Sequence, residues 1–342
     1  YVPDPGVYDR IPAAWRESLS AARLAFERAD AHTAYTLVAP LALERPRLVS
    51  VRTFLQELEL ELLTREGRLG ELVAASPAEA RTALAQEYER AAETRPTAED
   101  YVLAARLAAE GESALALLDE ADEVDPRCVW VHYARAWWRF GLRRFKDARE
   151  SLRAALRLDG GHLPSIRLHA TLLAGAGEYE GAAGALEVWL ERTADDPLYA
   201  AAERADALLD LAALEVLRQR PKQALERLDE LDPRAVRDPV RSEEVRAAAY
   251  QARGELTRAL EAVARAAEQR PDALLPLVQR ALLLQAAGDV EGERKTWLRL
   301  LELTESLPAA SANEDPAAID FDAALFRLQA HTRLERLARV AP

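Results

Sequence analysis

The sequence has no methionine, one cysteine (Cys128), one asparagine (Asn313) and three lysines (Lys146, Lys222 and Lys295) in 342 residues. A single thiol excludes an intramolecular disulfide, so stability must come from packing. No uncharged apolar run approaches the roughly 20 residues that cross a bilayer, so no membrane span is expected. Alternating β-branched and aromatic residues, the signature of strands, never extend far. Positive charge is also the minority: 45 Lys and Arg stand against 58 Asp and Glu, for a net charge of −13. That balance disfavours nonspecific binding to nucleic acid or anionic lipid. The shortage of Met, Asn and Lys beside abundant Arg fits a GC-rich bacterial genome. The chain opens on Tyr1 rather than Met, and we expect that a segment ahead of it is missing, either removed by processing or lying beyond an arbitrary boundary. An export signal is one such segment, so the compartment stays open between the cytoplasm and the cell envelope after N-terminal processing.

What is present is helical. Ala, Leu, Glu and Arg, all strong helix formers, fill every segment, and the hydrophobic fraction of 49% is ample for burial. The chain is expected to be all-α. Pro46, Pro96, Pro126, Gly160-Gly161, Pro197, Pro221, Pro233, Pro271 and Gly288 mark helix ends at short intervals, because proline cannot continue a helix and glycine supplies a left-handed cap.

The intervals form a repeat. Residues 129–162 laid over 163–196 place Ala136 on Ala170, Phe145 on Tyr179, Ala148 on Ala182 and Leu152 on Leu186, a register of 34 residues. The register recurs at 240–273, through Ala247, Tyr250, Gly254, Ala259, Ala266 and Pro271, and at 274–307, through Ala281, Leu284, Gly288 and Val290. Small residues let two antiparallel helices approach, and large ones fill the space beside them. Segments 100–126 and 197–233 keep parts of the pattern, and 15–48 follows it through Ala22, Ala34 and Pro46, with Pro40 expected to interrupt a second helix. Between 49 and 95 the register is poor.

A 34-residue helix-turn-helix with Ala, Gly, Tyr or Phe, Ala, Ala and Pro at these offsets resembles the tetratricopeptide repeat. The resemblance implies a right-handed helical solenoid of antiparallel helix pairs, whose first helices line a concave groove. Three regions follow: 1–98, helical with degenerate repeats; 99–307, the repeat array; and 308–342, a loop near 306–316 and a C-terminal capping helix carrying Phe321, Leu325 and Leu328, with Arg333, Arg336 and Arg339 beyond. A solenoid needs such a cap, although the helix could also dock another chain.

Catalytic and metal constellations are not evident, and the chain reads as a non-enzyme without a cofactor. The histidines His32, His132, His162, His169 and His331 form no zinc-hydrolase pair. Cys128 and His132 stand four apart but lack two further ligands. The run Gly175-Ala176-Gly177-Glu178 imitates a phosphate loop, yet no strand precedes it and Gly177 falls on the repeat's turn position. Acidic pairs such as Asp195-Asp196 and Glu243-Glu244 read as helix-start capping.

One segment stands out. Trp130, Tyr133, Trp137 and Phe140 share one helical stripe, with Trp138 beside it, while interhelical packing falls to Ala136, Phe145, Ala148, Leu152 and Ala155. Residues 127–157 carry nine basic and two acidic residues in an otherwise acidic chain. Trp and Arg combine stacking, cation–π and bidentate hydrogen bonding. This patch is therefore the candidate partner-binding surface, with the four rings as anchors and Arg135, Arg139 and Arg143 as electrostatic selectors. A protein or peptide, acidic or aromatic, is the expected partner; packing and solvation are the plainer reading of the same residues. Single-stranded nucleic acid uses similar side chains, but the net charge opposes it. Family members that grip chaperone tails use Lys, Arg and Asn in the groove; with Asn313 the sole asparagine, that mode is disfavoured. Leu275, Val278 and Leu282 suggest a second, apolar contact region. The function expected is a noncatalytic interaction scaffold. Two alternatives are a structural subunit of a bacterial envelope or fibre assembly, and the sensor portion of a larger regulator.

Overall fold

A computed structural model describes residues 11–94, 96–306 and 321–340. The opening residues 1–6, the loop expected near 307–316, Asn313 and the side chains of Phe321, Leu325 and Arg339 lie outside the described set. Among the described residues the chain is a succession of antiparallel helix pairs, grouped in two compact units, 1–200 and 201–342. The all-α expectation holds but for one two-stranded hairpin.

The first unit begins with a 3-10 turn, Ala13–Trp15, and contains ten helices. They are α1 (Arg16–Glu27), α2 (Ala31–Glu44), α3 (Val49–Glu66), α4 (Pro77–Thr94), α5 (Ala98–Leu107), α6 (Gly111–Val124), α7 (Val129–Gly141), α8 (Phe145–Leu158), α9 (Leu163–Gly175) and α10 (Tyr179–Arg192). The second unit holds α11 (Ala201–Leu217), α12 (Pro221–Asp229), α13 (Pro239–Ala252), α14 (Leu256–Gln269), α15 (Leu274–Ala287), α16 (Val290–Ser306) and α17 (Phe321–Val340). The small residues of the 34-residue register lie where the helices of a pair cross. Ala136, Ala148, Ala182, Ala259, Ala266 and Ala281 are all 0% exposed.

Two kinds of turn repeat with the pairs. In six pairs a residue one or two places past the first helix is left-handed: Ala29, Arg143, Gly177, Gln219, Gly254 and Gly288 have φ between 59° and 78°. In each, the next backbone N–H reaches back five residues, as Arg144 to the Arg139 carbonyl and Glu178 to the Leu173 carbonyl. This is a Schellman-type cap that satisfies orphan helix carbonyls. Gly177 is thus a turn glycine. Between pairs, an aspartate closes an Asx turn: Asp125, Asp159, Asp196 and Asp232 each accept the backbone N–H two residues ahead at 2.7–3.0 Å. The short aspartate side chain competes well for backbone at such points.

Three local expectations change. Pro40 does not interrupt α2, which continues through it; the ring is exposed, so the Thr36 carbonyl it leaves without an N–H faces the solvent side. The poor register between 49 and 95 hides a genuine pair, α3 and α4. Both helices run 18 residues, and the connection between them carries the hairpin β1 (Arg68–Leu69) and β2 (Leu72–Val73). Gly70, at φ 58°, makes the hairpin turn possible. Pro221 starts a helix rather than ending one, a position where its missing N–H costs nothing.

In the second unit, α17 lies against α16. Phe326, Ala330, Leu334 and Leu337 join Leu277, Val278, Trp297 and Leu300 in one cluster. Arg333 donates to both oxygens of Glu293, which is 2% exposed.

Candidate functional site

The rings of α7 run from core to surface. Trp130, in the first turn, is 8% exposed and belongs to the cluster formed by α5, α6 and α7. Tyr133 packs against that cluster and against the one between α7, α8 and α9; burial lifts its phenol to about 12. Phe140 packs on the latter cluster and meets Phe145 edge-on at 5.8 Å. Trp137 alone of the four is open, at 49% exposure, with Trp138 against it. The stripe therefore does not present four rings to one ligand. The difference lies in packing: Trp130 is part of the cluster with α5 and α6, whereas Trp137, two turns on, is left half exposed. Phe145, expected in the interhelical packing, is 50% exposed, and Leu142 is 37% exposed.

The arginines divide similarly. Arg135 is spent inside the fold, donating to Asp119, to Asp122 and to the Leu118 carbonyl. Arg139 donates to the Ser151 hydroxyl at 2.7 Å and ties α7 to α8. Arg144 and Arg149 pair with Glu112 and Glu178. Arg143 is exposed, takes no partner among the described residues, and holds φ 59°. Three of the equivalent turns use Gly177, Gly254 and Gly288, and two use Ala29 and Gln219. Lys146, Arg153 and Arg157 are exposed along one face of α8. Of the seven residues singled out, Trp137 and Arg143 are open to solvent. The other five are committed to packing or internal hydrogen bonds.

A residue that sequence reasoning passed over lies beneath this helix. His162 is 2% exposed and occupies, 34 residues on, the position of Cys128. Its ring stands at 90° to the Trp130 indole, 4.5 Å between centroids, and 5.4 Å from the Tyr133 ring. Nδ1 pairs with the Ser165 hydroxyl at 2.8 Å. Among the described residues Nε2 is buried without a partner, as is the indole nitrogen of Trp130. Burial pulls the imidazole down to about 3, so it is neutral. The one signal in the sequence was a histidine at a repeat position held by Leu48, Cys128 and Ala273 in three other units.

His162 lines a cleft of about 700 Å³ on the edge where the inter-pair turns gather. Its walls come from the chain before α1, the turns 45–50 and 159–164, and residues 196–199. The first and last pairs of the unit meet here. Arg16 donates to the Asp195 carbonyl at 3.1 Å, Arg23 to the Leu198 carbonyl at 2.6 Å, and Leu198 packs into the cluster of α1 to α3. Arg23 also stands over the Phe54 ring at 4.1 Å. A second cleft, of about 580 Å³, shares Arg45 with the first and is lined by Trp130 and Cys128.

The Cys128 thiol is buried and raised to about 12, far from a thiolate at neutral pH. Among the described residues no group of three His, Cys, Asp or Glu side chains could hold a metal ion, and no helix is long and apolar enough to cross a membrane. In the second unit, Leu275 and Leu282 are 45% and 47% exposed, whereas Val278 is buried at 5%.

No protein-family model and no curated relative matches the chain. Solved structures do. The hetero-tetramer Cut9–Hcn1 of the APC/C matches with a TM-score of 0.51 at 10% identity, over 89% of this chain and 60% of that one. YrrB, described as a TPR protein with an unusual peptide-binding site, matches at 0.47 and 22% identity, over 56% of this chain and 97% of its own. PilF of Pseudomonas aeruginosa matches at 0.47 and 20%, over 67% and 92%. At such identities the likeness concerns architecture alone. The fold is a tetratricopeptide-like array of antiparallel helix pairs.

Proposed function

We propose that this chain is a noncatalytic scaffold that holds a protein or peptide segment on the surface around the α7–α8 turn. Arrays of this architecture serve as protein-interaction scaffolds. The observation that carries the reading here is Arg143. A residue held in left-handed backbone, where three of the five equivalent turns use glycine and the other two use the uncharged Ala29 and Gln219, keeps an unpaired cation in place at a conformational cost. Around it lie the exposed side chains of Trp137, Leu142 and Phe145 and the exposed Lys146. Aromatic anchors with a basic rim suit an acidic segment carrying an aromatic residue. Trp130, Tyr133, Phe140, Arg135 and Arg139 act in this reading as the frame that fixes the helix, not as contacts.

The test is affinity capture from the source cells, quantified by mass spectrometry, with the wild-type chain and with the double variant Trp137→Ala, Phe145→Ala. A true partner should be recovered roughly tenfold less with the variant, as expected when interface anchors are truncated, while helicity and melting stay unchanged. Equal recovery by both chains sinks the proposal. A second reading, a structural subunit of a larger assembly, draws on the exposed Leu275 and Leu282 of α15. It requires self-association or co-purifying chains in light scattering.

A further inference from the structure

The inter-pair edge of the first unit carries a different arrangement of charge and hydrogen-bonding groups. Arg45 lines both clefts, and among the described residues its side chain makes no hydrogen bond or ion pair; its guanidinium carbon lies 5.9 Å from the Trp15 ring. It occupies the turn position where Asp125 and Asp159 stand in later pairs, with similar backbone angles. Arg47, on the wall of the second cleft, is likewise without a partner.

Three of the four acids on these walls are engaged, and Glu99, on the second cleft, has no partner among the described residues. Asp159 accepts from the Gly161 N–H at 2.7 Å, Asp196 from Leu198 at 3.0 Å and Asp125 from Arg127 at 2.9 Å. Burial also raises the Asp196 carboxyl above its usual range.

The two buried nitrogens are donors as well. Indole Nε1 can only donate. At His162, the Ser165 hydroxyl has no other acceptor among the described residues. Donating its hydrogen to Nδ1 leaves the ring proton on Nε2 and the fewest groups unsatisfied. A buried donor without an acceptor is destabilising, so an acceptor that reaches it is favoured. The walls thus hold free guanidinium groups and two unmet N–H donors, and in the first cleft both acids, Asp159 and Asp196, already accept backbone hydrogen bonds.

We propose that the cleft lined by Arg45 and His162, with the adjoining wall at Trp130, is a binding site for a carboxylate group. Carboxylates supply the acceptor-only, charged oxygens that such a donor set matches, and arginine binds them bidentately. The ligand is the acidic side chain of a polypeptide or a small carboxylic acid; the chemistry at the cleft is the same. This site is separate from the α7–α8 surface, and each can fail without the other.

The experiment titrates the full chain with three probes: a hexapeptide of alternating Ala and Glu blocked at both ends, its Gln counterpart, and free glutarate. Heat of binding is read together with the 1H–15N resonances of Trp130 Nε1 and His162 Nε2. We expect at least one carboxylate probe to bind and to move both resonances, with the Gln peptide weaker by about tenfold or more. Binding of the Glu peptide alone assigns the ligand to a polypeptide; binding of glutarate shows that the free acid suffices. Arg45→Ala, at an exposed position, should lower the affinity by about tenfold, Arg45→Lys by less, and Trp137→Ala not at all. Equal binding of the Gln peptide, unmoved resonances at saturation, or full affinity in Arg45→Ala overturns the proposal.

Discussion

Ala29 has φ 63° in an exposed turn, with no polar side chain to offset the clash that left-handed backbone imposes on a Cβ. Ala29→Gly should raise stability by about 0.5–1 kcal/mol, the relief of that clash exceeding the chain entropy glycine adds to the unfolded state. A urea midpoint that falls instead would refute the assignment of strain. His162 makes the second prediction at this scale. In the unfolded chain an imidazole takes up its proton near 6.5, and in the folded chain only near 3. Between those values the unfolded chain binds more protons, so this group contributes a loss of stability as pH falls from about 6.5, and nothing above it. The slope approaches about 1.4 kcal/mol per pH unit. Glu59, Asp196 and Glu244, whose carboxyls burial raises, act with the opposite sign. The comparison is therefore between wild type and His162→Leu, the residue found at the equivalent position 48. Chemical denaturation at several pH values between 7.5 and 5 should show a shallower acid-side decline in the variant; parallel curves would place His162 in contact with water.

At the scale of elements, α17 is the clearest case. Its apolar residues complete the last cluster, but the tie that sets its position is Arg333 on Glu293, whose carboxylate also accepts from the Trp297 indole at 3.2 Å. Arg333→Ala leaves a buried carboxylate without its cation, which costs on the order of 3 kcal/mol. Hydrogen exchange should then accelerate across 290–306 and 321–340 and leave the first unit untouched. Unchanged protection in α16 would mean that packing alone seats the helix. The helix-pair arrangement around α5 to α10 and α13 to α16 was legible because its causes are local: alanines at the crossings, a left-handed cap, an aspartate or proline between pairs. The α3–α4 pair was not. Its hairpin lengthens the connection and removes it from the 34-residue register, although the helix signals themselves are intact.

Over the whole molecule, the candidate sites were legible only in part, and the division follows helix geometry. Spacing put Trp130, Tyr133, Trp137 and Phe140 on one stripe of α7, and the residues do share it. Spacing cannot say how far the neighbouring pair covers a stripe along its length, and that decides that Trp130 is interior while Trp137 is open. Counting charge found the basic segment but could not tell Arg135, held by two aspartates, from Arg143, held by none. The cleft at His162 was further out of reach. It exists because Arg16 and Arg23 bond to carbonyls 179 and 175 residues away, and no periodicity encodes that. Sequence alone determined the helices, their pairing and their turns, since each arises from interactions within some 34 residues. Tertiary structure alone decided which side chains reach solvent and where the first unit meets itself, because those depend on small rotations between pairs that accumulate along the array.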